Sequence, residues 1–251
     1  MAKKKKNESD YDGLNLSVKE LDVIKTNTIV DSIKVDLKPK TENQKLYWKY
    51  LRDTNKEIVI ASGSPGTGKT YLSLAYALKA LKEGVYENVK ILIPTVEASS
   101  ALKLGYLKGD LESKLLPYTI SAKSTCEKIL KTSGVCDYCS IIKYLFNCGK
   151  IDFEVMSFIR GRTFDNTLLI LEEAENLSSK EMILAITRCG ENSKIVISGD
   201  SKQSDREYRE KRSGLEHAID KLGTFDEVSI IHFSDDDVVR NQLITKILKV
   251  W

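Results

Sequence analysis

Glycines, a lysine and a threonine at fixed spacing carry the plainest chemistry in this chain, in Gly63-Ser64-Pro65-Gly66-Thr67-Gly68-Lys69-Thr70. The segment fits G-x-x-x-x-G-K-[ST]. An apolar run, Ile58-Val59-Ile60-Ala61, precedes it, and a helical pattern opening on Thr70 follows. Glycines let successive backbone N–H groups converge on one concavity, which holds phosphate together with the N-terminus of the next helix. Lys69 then reaches the outer phosphates of a nucleoside triphosphate, and the Thr70 hydroxyl is placed to ligate Mg²⁺. Two acids, Glu172 and Glu173, end a second apolar run, Thr167-Leu168-Leu169-Ile170-Leu171. In that position the first acid is expected to hold Mg²⁺ and the second to polarise an attacking water. A third run, from Lys194, leads through Gly199-Asp200 to Gln203, which is placed to sense the terminal phosphate or that water. Arg240, four residues into Asp237-Val-Val-Arg, is a candidate arginine finger or phosphate sensor, or else a surface ion-pair partner.

These residues need a scaffold that brings several strand ends together. Apolar strands alternate with amphipathic helical segments from Thr41 onward, which predicts an α/β fold. Its central sheet is expected to be mostly parallel, with helices on both faces. Strands are expected at 57–62, 89–94, 154–158, 167–171, 194–198 and 227–233. Helices are expected at 41–51, 70–83, 97–104, across much of 111–145, and at 178–188, 213–222 and 236–248. Residues 1–38 read as a flexible arm with the basic block Lys3-Lys4-Lys5-Lys6, followed by short strands, and residues 39–251 as one domain. The arm is either a solubilising tail or a weak electrostatic contact for nucleic acid. A chain of 251 residues with 41% hydrophobic content supports one sizeable core. No apolar run approaches the roughly 20 residues that span a bilayer, and no apolar leader is visible, so a cytoplasmic protein without membrane contact is expected. A net charge of +3 is too small to argue for nucleic acid by itself.

The motifs stand in an order that resembles the PhoH family of P-loop ATPases, relatives of the superfamily 1 helicase core. The resemblance runs from about Pro39 to Leu248. It rests on PKTENQ (39–44), the phosphate loop, PTVEASSALKLGYLKGDLESKLLPY (94–118) and FIRGRTFDNTLLILEEAEN (158–176). SGDSKQSD (198–205), SGLEHAI (213–219) and HFSDDDVVR (232–240) complete it. It implies a RecA-like domain that binds and hydrolyses ATP, a ring-shaped homo-oligomer, often a hexamer, and action on RNA or single-stranded DNA. By position, Gln44 resembles the glutamine that reads adenine, Gln203 the motif III glutamine and Arg240 the motif VI arginine. The chain departs from the family where D-E-A-Q is replaced by Glu172-Glu173-Ala174-Glu175, and where Ile93 replaces an arginine.

The resemblance also implies a single strand lying across the C-terminal edges of the sheet. Candidate contacts are Thr95, Lys103, Tyr106, Lys108, Arg160, Arg162 and Thr163, with the two arginines equally open to a subunit-interface role. The segment 111–150 is the least family-like. It carries Cys126, Cys136, Cys139 and Cys148, which are either plain thiols or the ligands of a zinc site. A different class of function, a nucleotide-gated assembly or binding module with little turnover and no strand, fits the same phosphate loop.

Overall fold

The computed structural model describes residues 28–94, 111–200 and 213–239. Among these residues, six strands form one sheet: β1 (Ile58–Gly63), β2 (Asn88–Ile93), β3 (Ile151–Val155), β4 (Thr167–Leu171), β5 (Lys194–Gly199) and β6 (Val228–Phe233). Their spatial order is β3-β2-β4-β5-β1-β6, and every pairing is parallel. Among the described residues, six helices of at least eight residues accompany them: α1 (Glu42–Arg52), α2 (Lys69–Lys82), α3 (Leu111–Thr132), α4 (Tyr138–Asn147), α5 (Ser179–Ile186) and α6 (Gly214–Leu222).

Strand alternation explains the layering. Val59, Ala61, Leu168, Ile170 and Val196 point into one core with Tyr47, Leu72, Leu78, Ile129 and Leu145. Their neighbours Ile60, Leu169, Leu171, Ile195 and Ile197 point the other way, against Met182, Ala185, Leu215 and Ala218. The inner strands are buried on both faces, and so they read as continuous apolar runs. The result is the expected RecA-like α/β domain, with α1–α4 covering one face and α5 and α6 the other.

Helix α1 shows how local sequence fixes the frame. The Thr41 hydroxyl accepts the Gln44 N–H at 3.2 Å as an N-cap. Gln44, Tyr47 and Leu51, at helical spacing, form its buried side. The Tyr47 hydroxyl shares a 2.7 Å hydrogen bond with Ser73 of α2, and its ring meets Phe233 of β6 edge-on. At the other end, the Lys194 ammonium donates to the carbonyls of Leu51 and Asp53 at 2.7 and 2.9 Å. A buried cation thus satisfies the negative end of the helix dipole.

Several expected boundaries move. The span 111–145 is two helices, because Ser133-Gly134-Val135 closes α3 with a Schellman motif. Gly134 takes φ +79°, its N–H reaches Lys131 O, and the Val135 N–H reaches Leu130 O, each at 3.1 Å. The strand expected at 154–158 lies at Ile151–Val155, where Ile151, Phe153 and Val155 alternate, and Met156–Phe158 is a 3-10 turn. Residues 28–31 are helical rather than extended, and Ile33 is fully buried. The helix expected from 236 begins instead, in its described part, as a 3-10 turn at Asp235–Asp237. The helix expected at 97–104 lies outside the described residues.

Candidate nucleotide site

The ends of β1, β4 and β5 converge with the N-terminus of α2 on a cleft of about 460 Å³. A site outside the carboxyl ends of parallel strands is the expected location in such a sheet. Gly63 closes β1 where the chain runs hard against β6. A Cβ there would come within 2.1 Å of Phe233 O, so only glycine fits. Gly68 precedes α2 at φ +90°, ψ 14°, a conformation that costs other residues steric strain. Lys69, the first residue of α2, bends back to donate to Gly63 O at 2.5 Å and Ser64 O at 3.0 Å. Burial draws its ammonium below the ordinary lysine value, against the pull of Asp200, Glu175, Glu173 and Glu172.

The acids face this loop from two strands away, with β5 between. Burial pushes the Glu172 carboxyl up to about 7, with the Thr70 hydroxyl bonded to it as the main opposing effect. Its Oε1 is buried and has no hydrogen-bond partner. Such an oxygen is costly unless something satisfies it. An orphaned carboxylate oxygen beside a hydroxyl is a hard donor set that fits Mg²⁺. Glu173 is exposed on the cleft and sits at φ 52°, ψ 40°. That left-handed conformation is uncommon outside glycine and ends the extended run of β4 at the cleft.

Gln44 is buried against the loop. Its Oε1 accepts the Lys40 N–H and its Nε2 donates to Thr67 O, both at 2.8 Å. Ser64, Pro65, Gly66, Thr67 and Tyr71 fall in or beside the same loop and helix start, with the Thr67 hydroxyl bonded to Ser64 O at 3.0 Å. Gln203 and Arg240 lie outside the described residues, as do Thr95, Lys103, Tyr106 and Lys108. Arg160, Arg162 and Thr163 are described and exposed, and none of them lines the cleft. Arg162 is engaged in a two-pronged ion pair with Glu154, at 2.6 and 2.9 Å, and lies over the Phe164 ring. Thr163 stands beside Gly190, where Phe164 and Cys189 bridge just before β4 and β5 begin, at the end of the sheet opposite the phosphate loop.

The four cysteines do not gather. Cys126 is buried in the core, its thiol pushed up to about 12 by burial, while Cys136, Cys139 and Cys148 are exposed on the far side of the Gly134 break. Among the described residues, no group of three or more His, Cys, Asp or Glu is arranged to hold a metal ion. The zinc option is therefore set aside.

The structure adds residues that motif reading missed. The turn after β6 packs on the phosphate loop: Ser64 Oγ donates to Asp235 Oδ1 at 2.5 Å, and the Val239 N–H to Gly66 O at 3.0 Å. Asp237 accepts from Asn43 Nδ2 at 2.7 Å and from the Ser234 N–H at 2.9 Å. Burial works to raise its carboxyl, and the hydrogen bonds from Asn43, Thr41 and Ser234 outweigh it, leaving the group below the usual range. The S-x-x-D capping pattern at Ser234–Asp237 is visible in sequence, whereas its packing on residues 64–66 is not. From α3, Thr125 and Lys128 also line the cleft.

The parallel sheet and the loop between β1 and α2 define a P-loop nucleotide-binding protein of the RecA-like class. Residues 36–251 match the PhoH-like protein family, and the chain belongs to it. The chain is 34% identical over 215 residues to a PhoH-like protein of Mycobacterium tuberculosis, covering 86% of this chain and 58% of that one. The PhoH-like protein of Bacillus subtilis gives 34% over 215 residues, 86% and 64%. Protein PhoH of Escherichia coli gives 31% over 199 residues, 78% and 53%. The chain thus spans little more than half the length of these relatives. Among the described residues, no helix is long and apolar enough to cross a membrane.

Proposed function

We propose that this protein hydrolyses ATP and couples turnover to a strand of RNA or single-stranded DNA. One observation carries the hydrolytic reading: the Lys69–Thr70 pair at the start of α2 faces Glu172, with its unsatisfied Oε1, and the exposed Glu173 across one cleft. In this reading the loop N–H groups and Lys69 hold the phosphates, and Thr70 and Glu172 hold Mg²⁺, which when bound neutralises charge on the phosphate oxygens. Glu173 accepts a proton from the attacking water and orients it toward the terminal phosphorus. Gln44 steadies the loop through Thr67 O and keeps one Nε2–H for the edge of a base. Gln203 and Arg240 serve as phosphate sensor and finger, and Val239, bonded to Gly66 O, leads directly into Arg240.

The strand partner rests on family membership and on exposed groups such as Arg160 and the Phe158 ring, just beyond the end of β3. A cytoplasmic ring-shaped homo-oligomer belongs to the same reading. The rival, a nucleotide-gated assembly with little turnover, draws support from the Glu172 carboxyl, which is held near 7 and so is a poorer anion than the usual acid. ATP hydrolysis measured with and without single-stranded RNA or DNA separates the two. A strand-coupled ATPase is stimulated severalfold, whereas a rate that strands leave unchanged removes nucleic acid from the proposal.

A further inference from the structure

Glu175 is a buried carboxyl that the roles above leave unused. It is 4% exposed, on the 3-10 turn Ala174–Asn176 that follows the two cleft acids. Its Oε2 accepts the Asp200 N–H at 3.0 Å, which ties the acidic turn after β4 to the end of β5. Gly199 leaves room for that contact, since a Cβ there would lie 2.4 Å from the same Oε2. The Glu175 carboxyl is also hydrogen-bonded to the Glu173 side chain, an arrangement that favours the protonated form of Glu175 as donor and Glu173 as acceptor. Burial is the largest effect, raising the Glu175 carboxyl to about 8 against the N–H bonds from its own main chain and from Asp200, which favour the charged form.

Glu173 needs such a partner. It is exposed and carried on a left-handed backbone, so its own strand does not fix its rotamer. A carboxyl bonded both to a main-chain N–H of the adjacent strand and to Glu173 supplies the missing constraint. We infer that Glu175 is a positioning residue, holding the Glu173 carboxylate in the orientation that hydrolysis requires by bracing it against the end of β5. The inference rests on the ATPase reading.

The test is steady-state ATP hydrolysis by Glu175→Ala and Glu175→Gln, with fluorescent-nucleotide titration and thermal melting in parallel. Glutamine keeps the shape, an acceptor for the Asp200 N–H and a donor for Glu173. Glu175→Ala is expected to lower kcat by roughly tenfold or more while KM and nucleotide affinity change little, since misplaced catalytic groups act on the chemical step. Glu175→Gln is expected to keep kcat within about threefold of the parent. If Glu175→Ala leaves kcat unchanged, or Glu175→Gln loses as much kcat as Glu175→Ala, the positioning role is overturned. A purely structural role predicts a rise in KM and a lower melting temperature together, which also contradicts it. An inactive parent protein that still binds nucleotide overturns the ATPase reading instead, so the two failures are distinct.

Discussion

Lys69 and the carboxyl groups of Glu172, Glu173, Glu175 and Asp200 line one cleft, and burial shifts Lys69, Glu172 and Glu175 toward their neutral forms. The glutamates at 172 and 175 are raised to about 7 and about 8 from an ordinary value of 4.5, in both cases chiefly by burial. A carboxyl whose folded value lies above its unfolded value binds more protons when folded. Its stabilising contribution is therefore fully present below the unfolded value and is lost as pH rises through the folded one. The melting temperature of the parent is expected to fall relative to that of Glu175→Gln between about pH 5 and about pH 9. A difference between the two that stays constant with pH would refute the raised value. The glycine–lysine loop and the Glu172-Glu173 pair were legible because the motif forces residue types at fixed spacing. Glu175 was visible only as a departure from a pattern, because its importance comes from Asp200, which is distant in sequence and adjacent only once β4 and β5 pair.

At the level of elements, long apolar runs were readable because β1, β4 and β5 are buried on both faces and need no periodicity analysis. The edge strand β3 was misplaced, since only its alternation at Ile151, Phe153 and Val155 marks it. The Ser133-Gly134 stop inside 111–145 was present in the sequence, but strong helical periodicity on both sides masked it. The contact between the post-β6 turn and the phosphate loop was not readable, because it joins residues roughly 170 positions apart. That turn is held by Asn43 of α1 through Asp237. Asn43→Ala is expected to lower stability in urea unfolding by about 1.5–3 kcal/mol, the range for a hydrogen bond to a charged group. No measurable change would remove this tie from the account.

Across the whole molecule, one sheet with two cores holds the phosphate loop, the acids and the post-β6 turn in a single frame. The fold class was legible because alternating strand and helix signals admit few topologies. The residues proposed to meet a strand were much less so: a resemblance supplies residue names without saying which ones the fold leaves free. Arg162 illustrates this, being taken up by Glu154 on the edge of the sheet. The central claim is that the cleft hydrolyses ATP with Glu173 acting on water. Its most direct test is single-turnover ATP hydrolysis by the parent and by Glu173→Gln under conditions where titration shows both saturated with nucleotide. The account predicts retained binding and a fall in rate of about a hundredfold or more, the scale of a lost general base. Equal rates in the two proteins would contradict it.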